Sequence, residues 1–175
     1  MVRFARHALA PIFLVAAAQA AQAAPTASAT LLARSTLLGV QSAMREAQRG
    51  GTVSIDAATC VQSLQASALV PVFETAVSDN WSRPEVDAIE RFLATPAGRK
   101  YAERSVAQAR LDAGERVADP LPSYTDEEIG EVDRFKKTAA GGQLMGRSEF
   151  ANARSRDAIQ GRLLELLKGC GAVPR

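Results

Sequence analysis

Apolar side chains recur at helical spacing along most of this chain, and no stretch alternates as a half-buried strand would. Two stretches, residues 81–105 and 124–148, carry the same pattern and share eight identical positions. In both, apolar residues spaced by three form one helical stripe: Val86, Ile89 and Phe92 in the first copy and Ile129, Val132 and Phe135 in the second. The pattern predicts an all-α protein built around two related helix-corner-helix repeats.

Each copy opens with an aromatic residue, a hydroxyl residue and, three positions after the hydroxyl, a glutamate. This is the spacing of a capping box, and the aromatic residue can form a hydrophobic staple with the helix. The residues are Trp81, Ser82 and Glu85 in the first copy and Tyr124, Thr125 and Glu128 in the second. Both copies are therefore predicted to start with a capped helix.

A threonine follows each stripe and predicts a second helix start, strengthened in the first copy by Thr95-Pro96. Gly98 and Gly141 then fall inside the following helices, where glycine costs about 1 kcal/mol relative to alanine. Glycine at the same place in both copies indicates close approach of another backbone. Each copy is thus expected to be a short helix, a tight corner and a longer helix.

The first 23 residues have the pattern of a signal peptide: Arg3, Arg6 and His7, then an apolar run over 8–18, then Ala-Gln-Ala cleavage sites at 18–20 and 21–23. The run is too short for a comfortable membrane span, so we expect cleavage and no integral membrane anchor. The alternative is an uncleaved N-terminal helix. The prediction is a periplasmic or secreted protein.

After the signal peptide, we expect a flexible leader over residues 24–30 and one compact helical domain over 31–175. The first helix is predicted from Leu31 to Arg49 and the second from a cap at Ser54 through Ala68, with Pro71 ending or kinking it. The last helix is predicted over 149–168. Together with the repeats, these elements give a bundle of about seven segments.

The secretion signal and the first repeat together resemble an uncharacterised helical family called domain of unknown function 2059. The resemblance covers residues 64–117 and rests on Glu85, Phe92, Thr95, Pro96, Ala97, Gly98 and Lys100. It implies a helical fold and a location in the bacterial envelope, and it brings no activity, cofactor or catalytic residue. The second copy departs from the motif because it lacks the proline and the basic pair.

Charge and histidine content narrow the function classes. The chain has 21 Lys+Arg and 19 Asp+Glu, and removing Arg3 and Arg6 with the signal peptide leaves 19 of each, mixed in sign along the chain. A nucleic acid partner is not expected, because it requires clustered positive charge. The only histidine, His7, leaves as well, so the mature chain lacks imidazole for a nucleophile pair or a metal site. We expect no metal and no cofactor, while carboxylate and lysine chemistry stay open.

Two cysteines remain, Cys60 and Cys170. In an oxidising compartment an isolated pair typically forms one structural disulfide. A redox-active pair is the alternative, and it would favour Cys-x-x-Cys spacing. We therefore predict a disulfide that closes most of the domain.

The candidate binding site is a groove between the two copies, lined by Trp81, Arg91, Phe92, Tyr124, Arg134 and Phe135. Each residue also has a structural interpretation. The arginines could form surface ion pairs, Arg91 with Asp87 and Arg134 with Glu131, and Trp81 and Tyr124 could be staples. The acidic stretch over 126–133 suits helix capping better than a calcium loop, because its acids do not alternate and do not combine with a turn glycine in the pattern that such a loop needs.

These observations favour an exported, non-catalytic helical protein that binds an unknown envelope protein or ligand. One alternative is a hydrolase that uses carboxylates and arginine on an envelope polymer, which needs a buried carboxyl group with a raised pKa. Another is a periplasmic holdase chaperone, which needs a broad exposed apolar surface.

Overall fold

The computed structural model describes residues 24–112, 114, 115, 117, 121, 123–146 and 152–172. Within these residues the chain is all-helical, which confirms the predicted compact all-α fold. Eight α-helices and a short 3-10 turn (Ala66–Ala68) replace the roughly seven predicted segments. The helices are α1 (Ala27–Arg49), α2 (Ile55–Ser63), α3 (Val70–Asn80), α4 (Arg83–Ala94), α5 (Pro96–Asp112), α6 (Asp126–Lys136), α7 (Ala139–Met145) and α8 (Ala153–Gly169). The predicted signal peptide, residues 1–23, lies outside the described residues.

Helix α1 is the central element, because it contacts α2, α3, α4 and α5 as well as the 3-10 turn. Its side chains enter two hydrophobic clusters. Leu31 packs with α3, α4, α5 and α7 in the first cluster, and Leu37 packs with Leu69 and Phe73 in the second. Helix α8 covers the second cluster through Ile159 and neighbouring leucines. None of the described helices is both long and apolar enough to cross a bilayer.

The prediction of a flexible leader over residues 24–30 is wrong from residue 27 onward. Thr26 caps α1, with its side-chain oxygen accepting from the amide of Ala29 at 3.3 Å. Carboxylates from two other helices bind the preceding amides: Glu74 of α3 accepts from Thr26 at 2.6 Å. The two oxygens of Glu90 of α4 accept from Ala27 and Ser28 at 2.8 and 2.9 Å. These long-range contacts start the helix one turn earlier than the sequence pattern indicates.

The predicted second helix is also shorter than expected. Ser54 does cap it, accepting from Ala57, but α2 ends at Ser63 rather than continuing to Ala68. The Gln41 side chain of α1 donates to carbonyls at the end of α2 and just beyond it. Pro71 therefore lies in the first turn of α3, where a missing amide hydrogen does no harm.

Helix α8 is attached to the rest of the bundle at both ends. At its start, the Asn80 side chain donates to the Ser155 hydroxyl at 2.8 Å and accepts from the Asn152 amide at 3.1 Å. At its end, Cys170 forms a disulfide with Cys60, which confirms the predicted pairing. The predicted start at residue 149 lies outside the described residues, and the described helix begins at Ala153.

Candidate functional site

Both predicted helix starts carry capping-box contacts. In the second copy, Thr125 accepts from the Glu128 amide at 3.3 Å, and the Glu128 carboxylate accepts from the Thr125 amide at 2.8 Å. In the first copy, the Glu85 carboxylate accepts from both the amide and the hydroxyl of Ser82, at 2.8 and 2.7 Å. The sequence thus located the starts of α4 and α6.

The corners that follow these helices have the same hydrogen bonds. Thr95 and Thr138 both adopt extended backbone conformations between two helices. Each hydroxyl donates back to the carbonyl of the preceding phenylalanine, at 2.8 Å for Phe92 and 2.7 Å for Phe135. Each also accepts from the amide of the following glycine, at 3.1 and 3.0 Å. At each corner one threonine therefore bridges the end of the first helix and the start of the second, directly after α4 in the first copy and after the C-cap Lys137 in the second.

The glycine of each corner is required by the close approach of two backbones. A Cβ atom added to Gly98 would lie 1.9 Å from the Phe92 carbonyl oxygen, and one added to Gly141 would lie 1.9 Å from that of Phe135. The approaching backbone is the end of the preceding helix rather than another part of the bundle. The short contact fixes how tightly the chain reverses at each corner.

The two segments differ in the helix after the corner. Helix α5 has 17 residues and is longer than the 12-residue α4, as expected. Helix α7 has only 7 residues and is shorter than the 11-residue α6, so the expectation of a longer second helix is wrong for the second copy. Gly146 is in an extended conformation and ends α7.

The two copies pack against each other directly. Helix α4 contacts α7, and α5 contacts α6, so the first helix of each copy meets the second helix of the other. At their junction the rings of Phe92 and Phe135 stack with centroids 4.0 Å apart. Phe92 is buried and Phe135 is half-buried. These side chains fill the space in which a groove was expected, because apolar rings are more stable in contact than facing water.

In the described part of the chain, the other predicted groove residues line no common cavity. Trp81 is buried in the first hydrophobic cluster and borders a cavity at the start of α4. Arg91 and Arg134 are exposed, and neither forms a salt bridge with a carboxylate in the described part of the chain. The predicted ion pair of Arg91 with Asp87 is thus wrong: its guanidinium donates instead to the Asp87 backbone carbonyl at 3.1 Å. The pair of Arg134 with Glu131 is not formed either.

An open groove of about 400 Å³ does lie where α5 of the first copy meets the beginning of the second copy. Tyr124 is the one predicted residue that lines it. The Arg104 guanidinium lies over the Tyr124 ring, 5.2 Å from its centroid, in a cation–π arrangement. The remaining lining residues are Ser35, Tyr101, Ser105, Gln108, Ala109, Asp112 and Leu121.

The polar groups of this groove are positioned by contacts within and below α5. Gln108 donates to the Asp112 carboxylate at 2.8 Å, one turn further along the helix. The Tyr101 ring packs on Phe92 with centroids 6.0 Å apart, which connects the groove to the stacked phenylalanines. The groove wall formed by α5 is therefore supported by the junction between the copies.

Both phenols are protonated at neutral pH. Burial raises the pKa of Tyr101, against a smaller lowering by the Ser105 side chain. Burial also raises the pKa of Tyr124, and the nearby Arg104 charge opposes this shift. Each hydroxyl can therefore donate as well as accept a hydrogen bond.

Sequence reasoning missed Tyr101, Arg104, Gln108 and Asp112. A signal was present, because these positions follow one another at intervals of three or four and so share one face of α5. A polar and aromatic stripe of this kind on a helix that otherwise packs into a bundle indicates an accessible surface. Of these four residues, only Arg104 has an identical counterpart, Arg147, in the second copy, so the repeat alone does not reveal the stripe.

Among the described residues, no group of three or more His, Cys, Asp or Glu side chains could bind a metal ion. Comparison with protein-family models gives no match, and comparisons with curated proteins and with solved structures give none either. The resemblance to domain of unknown function 2059 and the absence of a cofactor stay predictions.

Proposed function

We propose that this protein is an exported, non-catalytic binding module of the bacterial envelope, and that its two corners arose by duplication. Its ligand would be a polar, ring-containing part of an envelope component, such as a sugar unit. The observation that carries the proposal is the convergence of Tyr101, Arg104, Gln108, Asp112 and Tyr124 on one open groove. These residues come from two separate segments of the chain.

The chemistry of the groove suits a sugar. Binding sites usually combine apolar surface with a few well-placed polar groups that fix the orientation of the ligand. The tyrosine rings offer apolar surface and a hydroxyl each, which matches a sugar ring with C–H groups on one face and hydroxyls at its edge. The guanidinium, carboxamide and carboxylate supply donors and acceptors for those hydroxyls. Because the groove is open, it can hold one unit of a longer polymer.

The signal-peptide pattern supports export, and the disulfide is compatible with it. Cys60 and Cys170 form this bond, and disulfides generally persist in oxidising compartments. A periplasmic or secreted location is accordingly part of the proposal.

The rival functions receive less support. A carboxylate hydrolase needs a carboxyl group with a raised pKa, whereas hydrogen bonds lower the pKa of Glu85, Glu127 and Glu128. A holdase needs a broad apolar surface. The large exposed apolar side chains of the described residues are instead distributed over four helices: Ile55 on α2, Leu111 on α5, Ile129 on α6 and Leu164 on α8.

The test is an NMR titration of the folded, oxidised protein with chitotetraose as the probe. We expect saturable shifts at the amides of α5 and at Tyr124, weakened about tenfold by Gln108→Ala, which removes two hydrogen-bonding groups. Gln160→Ala, on the exposed face of α8, is the matched control and should bind normally. Saturable shifts at other surfaces, or none at millimolar sugar, would contradict the proposal.

A further inference from the structure

A lysine of α5 lies one helical turn before Arg104, next to the ligand groove but outside its lining. Lys100 and Arg104 are four residues apart and therefore share one face of the helix. The Arg104 guanidinium lies over the Tyr124 ring. Lys100 is bonded to the backbone on both sides of the same tyrosine, directly on one side and through Glu128 on the other. Two successive turns of α5 thus contact one residue, one at its ring and the other at its backbone.

The ammonium group of Lys100 fixes the two peptide units that flank Tyr124. Its Nζ donates to the Ser123 carbonyl at 3.0 Å, which belongs to the peptide unit before the tyrosine. The same Nζ donates to Glu128 Oε2 at 2.6 Å, and this oxygen also accepts from the Thr125 amide at 2.8 Å. That amide belongs to the peptide unit after the tyrosine. Because peptide units are rigid planes joined by two soft torsions, fixing both planes sets the direction in which the Tyr124 side chain leaves the backbone.

The bridge between Lys100 and Glu128 is partly sheltered from water. The Lys100 side chain is 28% exposed and the Glu128 side chain 13% exposed. Hydrogen bonds between ionised groups are about twice as strong as those between neutral groups. Salt also screens partly buried pairs less than fully exposed ones. The bridge can therefore restrain the turn that carries Tyr124.

The first copy has the same type of helix start without this bridge. Trp81 and Glu85 correspond to Tyr124 and Glu128. Glu85 accepts from Ser82 in its own turn, and no salt bridge reaches it within the described residues. Trp81 is buried in the first hydrophobic cluster, where packing determines its position. Tyr124 is only half-buried and lines an open groove, so its position depends more on how its backbone is held.

We propose that Lys100 is the positioning residue of the ligand groove: it fixes the backbone on both sides of Tyr124 and so holds the tyrosine ring beside Arg104, in the place where a ligand meets it. Lys100 is not among the lining residues and acts through Tyr124. The inference rests on the proposed function for the binding of a sugar, whereas the placement of Tyr124 can be measured without a ligand. If the ring occupies its place in only a fraction of the molecules, the apparent affinity falls in proportion to that fraction.

The first part of the test measures the placement of Tyr124 by NMR in the oxidised, ligand-free protein. Arg104 side-chain protons near the face of the ring should show ring-current shifts and nuclear Overhauser effects to the ring protons. Lys100→Met removes the donor and keeps an apolar stem, and we expect both signals to fall by about half or more. Lys100→Arg keeps the charge and several donors and should restore most of both signals. The matched control is Lys168→Met on the exposed face of α8, which removes the same charge and should leave both signals unchanged.

The second part of the test is a titration of the same variants with chitotetraose. We expect Lys100→Met to weaken binding about fivefold and Lys100→Arg to bind within about twofold of the wild type. If the wild type does not bind the sugar, the proposed function fails. The ligand-free spectra then decide by themselves whether Lys100 positions Tyr124.

Two outcomes would overturn the inference. One is that Lys100→Met keeps the ring-current shifts and Overhauser effects of the wild type. The other is that these signals are lost while chitotetraose, bound by the wild type, binds the variant equally well. Glu128→Gln provides a milder perturbation if Lys100→Met does not fold. It removes the charge that attracts Lys100 but keeps an acceptor for the Thr125 amide, so the same two signals should fall by a smaller amount.

Discussion

Phe92 and Phe135 stack in parallel, with ring centroids 4.0 Å apart and planes inclined by 6°. They occupy the same position in the two repeated segments, so the contact joins equivalent residues, as in a symmetric dimer interface. Each ring is attached to a corner whose threonine binds the carbonyl of that same phenylalanine. The stack thus links the local geometry of both corners to the packing of the bundle and, through Tyr101, to the groove.

The corner glycines give a prediction with an internal control. Gly141→Ala would place a Cβ atom 1.9 Å from the Phe135 carbonyl oxygen, and backbone atoms would have to move to relieve the clash. We expect the free energy of unfolding to fall by more than about 2 kcal/mol, in the upper part of the range for overpacking. Gly98→Ala should behave in the same way. Urea denaturation of the oxidised protein measures both.

The control is the neighbouring Gly142, where an added Cβ atom meets nothing within 4 Å. Because alanine favours a helix over glycine, Gly142→Ala should raise the free energy of unfolding by about 0.5–1 kcal/mol. If alanine at positions 141 and 142 changes the free energy of unfolding equally, the backbone at Gly141 does not approach the Phe135 carbonyl as closely as described.

A second prediction concerns the first turn of α1. Glu90→Gln leaves one oxygen for two amide donors, so its NH₂ group would face either Ala27 or Ser28. We expect the free energy of unfolding to fall by about 1–2 kcal/mol and hydrogen exchange at these two amides to become faster. Asp87→Asn, an exposed change on the same helix, should leave exchange at α1 unaltered. Unchanged exchange in Glu90→Gln would indicate that the carboxylate does not bind this turn.

A third prediction concerns how Glu128 makes the stability of the fold depend on pH. A hydrogen bond from Lys100, and to a smaller extent one from the Thr125 backbone, lowers the pKa of this carboxyl group below its ordinary value of 4.5. A carboxyl group with a lowered folded-state pKa stabilises the fold above its unfolded pKa, and this stability is lost as the pH falls through the folded value. The melting temperature should therefore fall below pH 4.5, and it should fall less steeply in Glu128→Gln. If the melting temperature of that variant falls with pH as steeply as that of the wild type, the Lys100–Glu128 contact, 2.6 Å between nitrogen and oxygen, is refuted.

The fourth prediction joins export to the disulfide. Peptide mapping without reduction, on protein recovered from outside the cytoplasm, should find Cys60 joined to Cys170 and an N-terminus just after Ala20 or Ala23. Reduction should lower the free energy of unfolding by up to about 5 kcal/mol, because the bond closes a loop of 110 residues. Free thiols or an intact N-terminus would contradict export of the oxidised form.

The sequence predicts the local features of this fold well. At four helix starts, a serine or threonine forms a hydrogen bond with the residue three positions later. These residues are Ser82, Thr95, Thr125 and Thr138. Such contacts depend on neighbours in the chain, so spacing alone reveals them. The disulfide was also predictable, because two cysteines in an oxidising compartment leave one intramolecular pairing.

Features that depend on distant partners were not predictable in the same way. Helix α1 starts at Ala27 because Glu74 and Glu90 approach from other helices, and nothing near residue 27 indicates this. The groove was expected between the repeated aromatic residues, but repetition also places equivalent apolar side chains against each other. Phe92 and Phe135 consequently fill that space, and the accessible groove lies beside them.

The most direct test of this account is a double-mutant cycle between Phe92 and Phe135, measured by urea denaturation of the oxidised protein. Phe92→Ala should lower the free energy of unfolding by about 3–5 kcal/mol. Phe135→Ala should lower it by less, because the Phe135 side chain is half-buried. Because the rings stack, we predict that the double variant loses less stability than the sum of the two single variants, by about 0.5–1.5 kcal/mol. Strictly additive losses would show that the two rings do not meet, and would contradict the pairing of the corners.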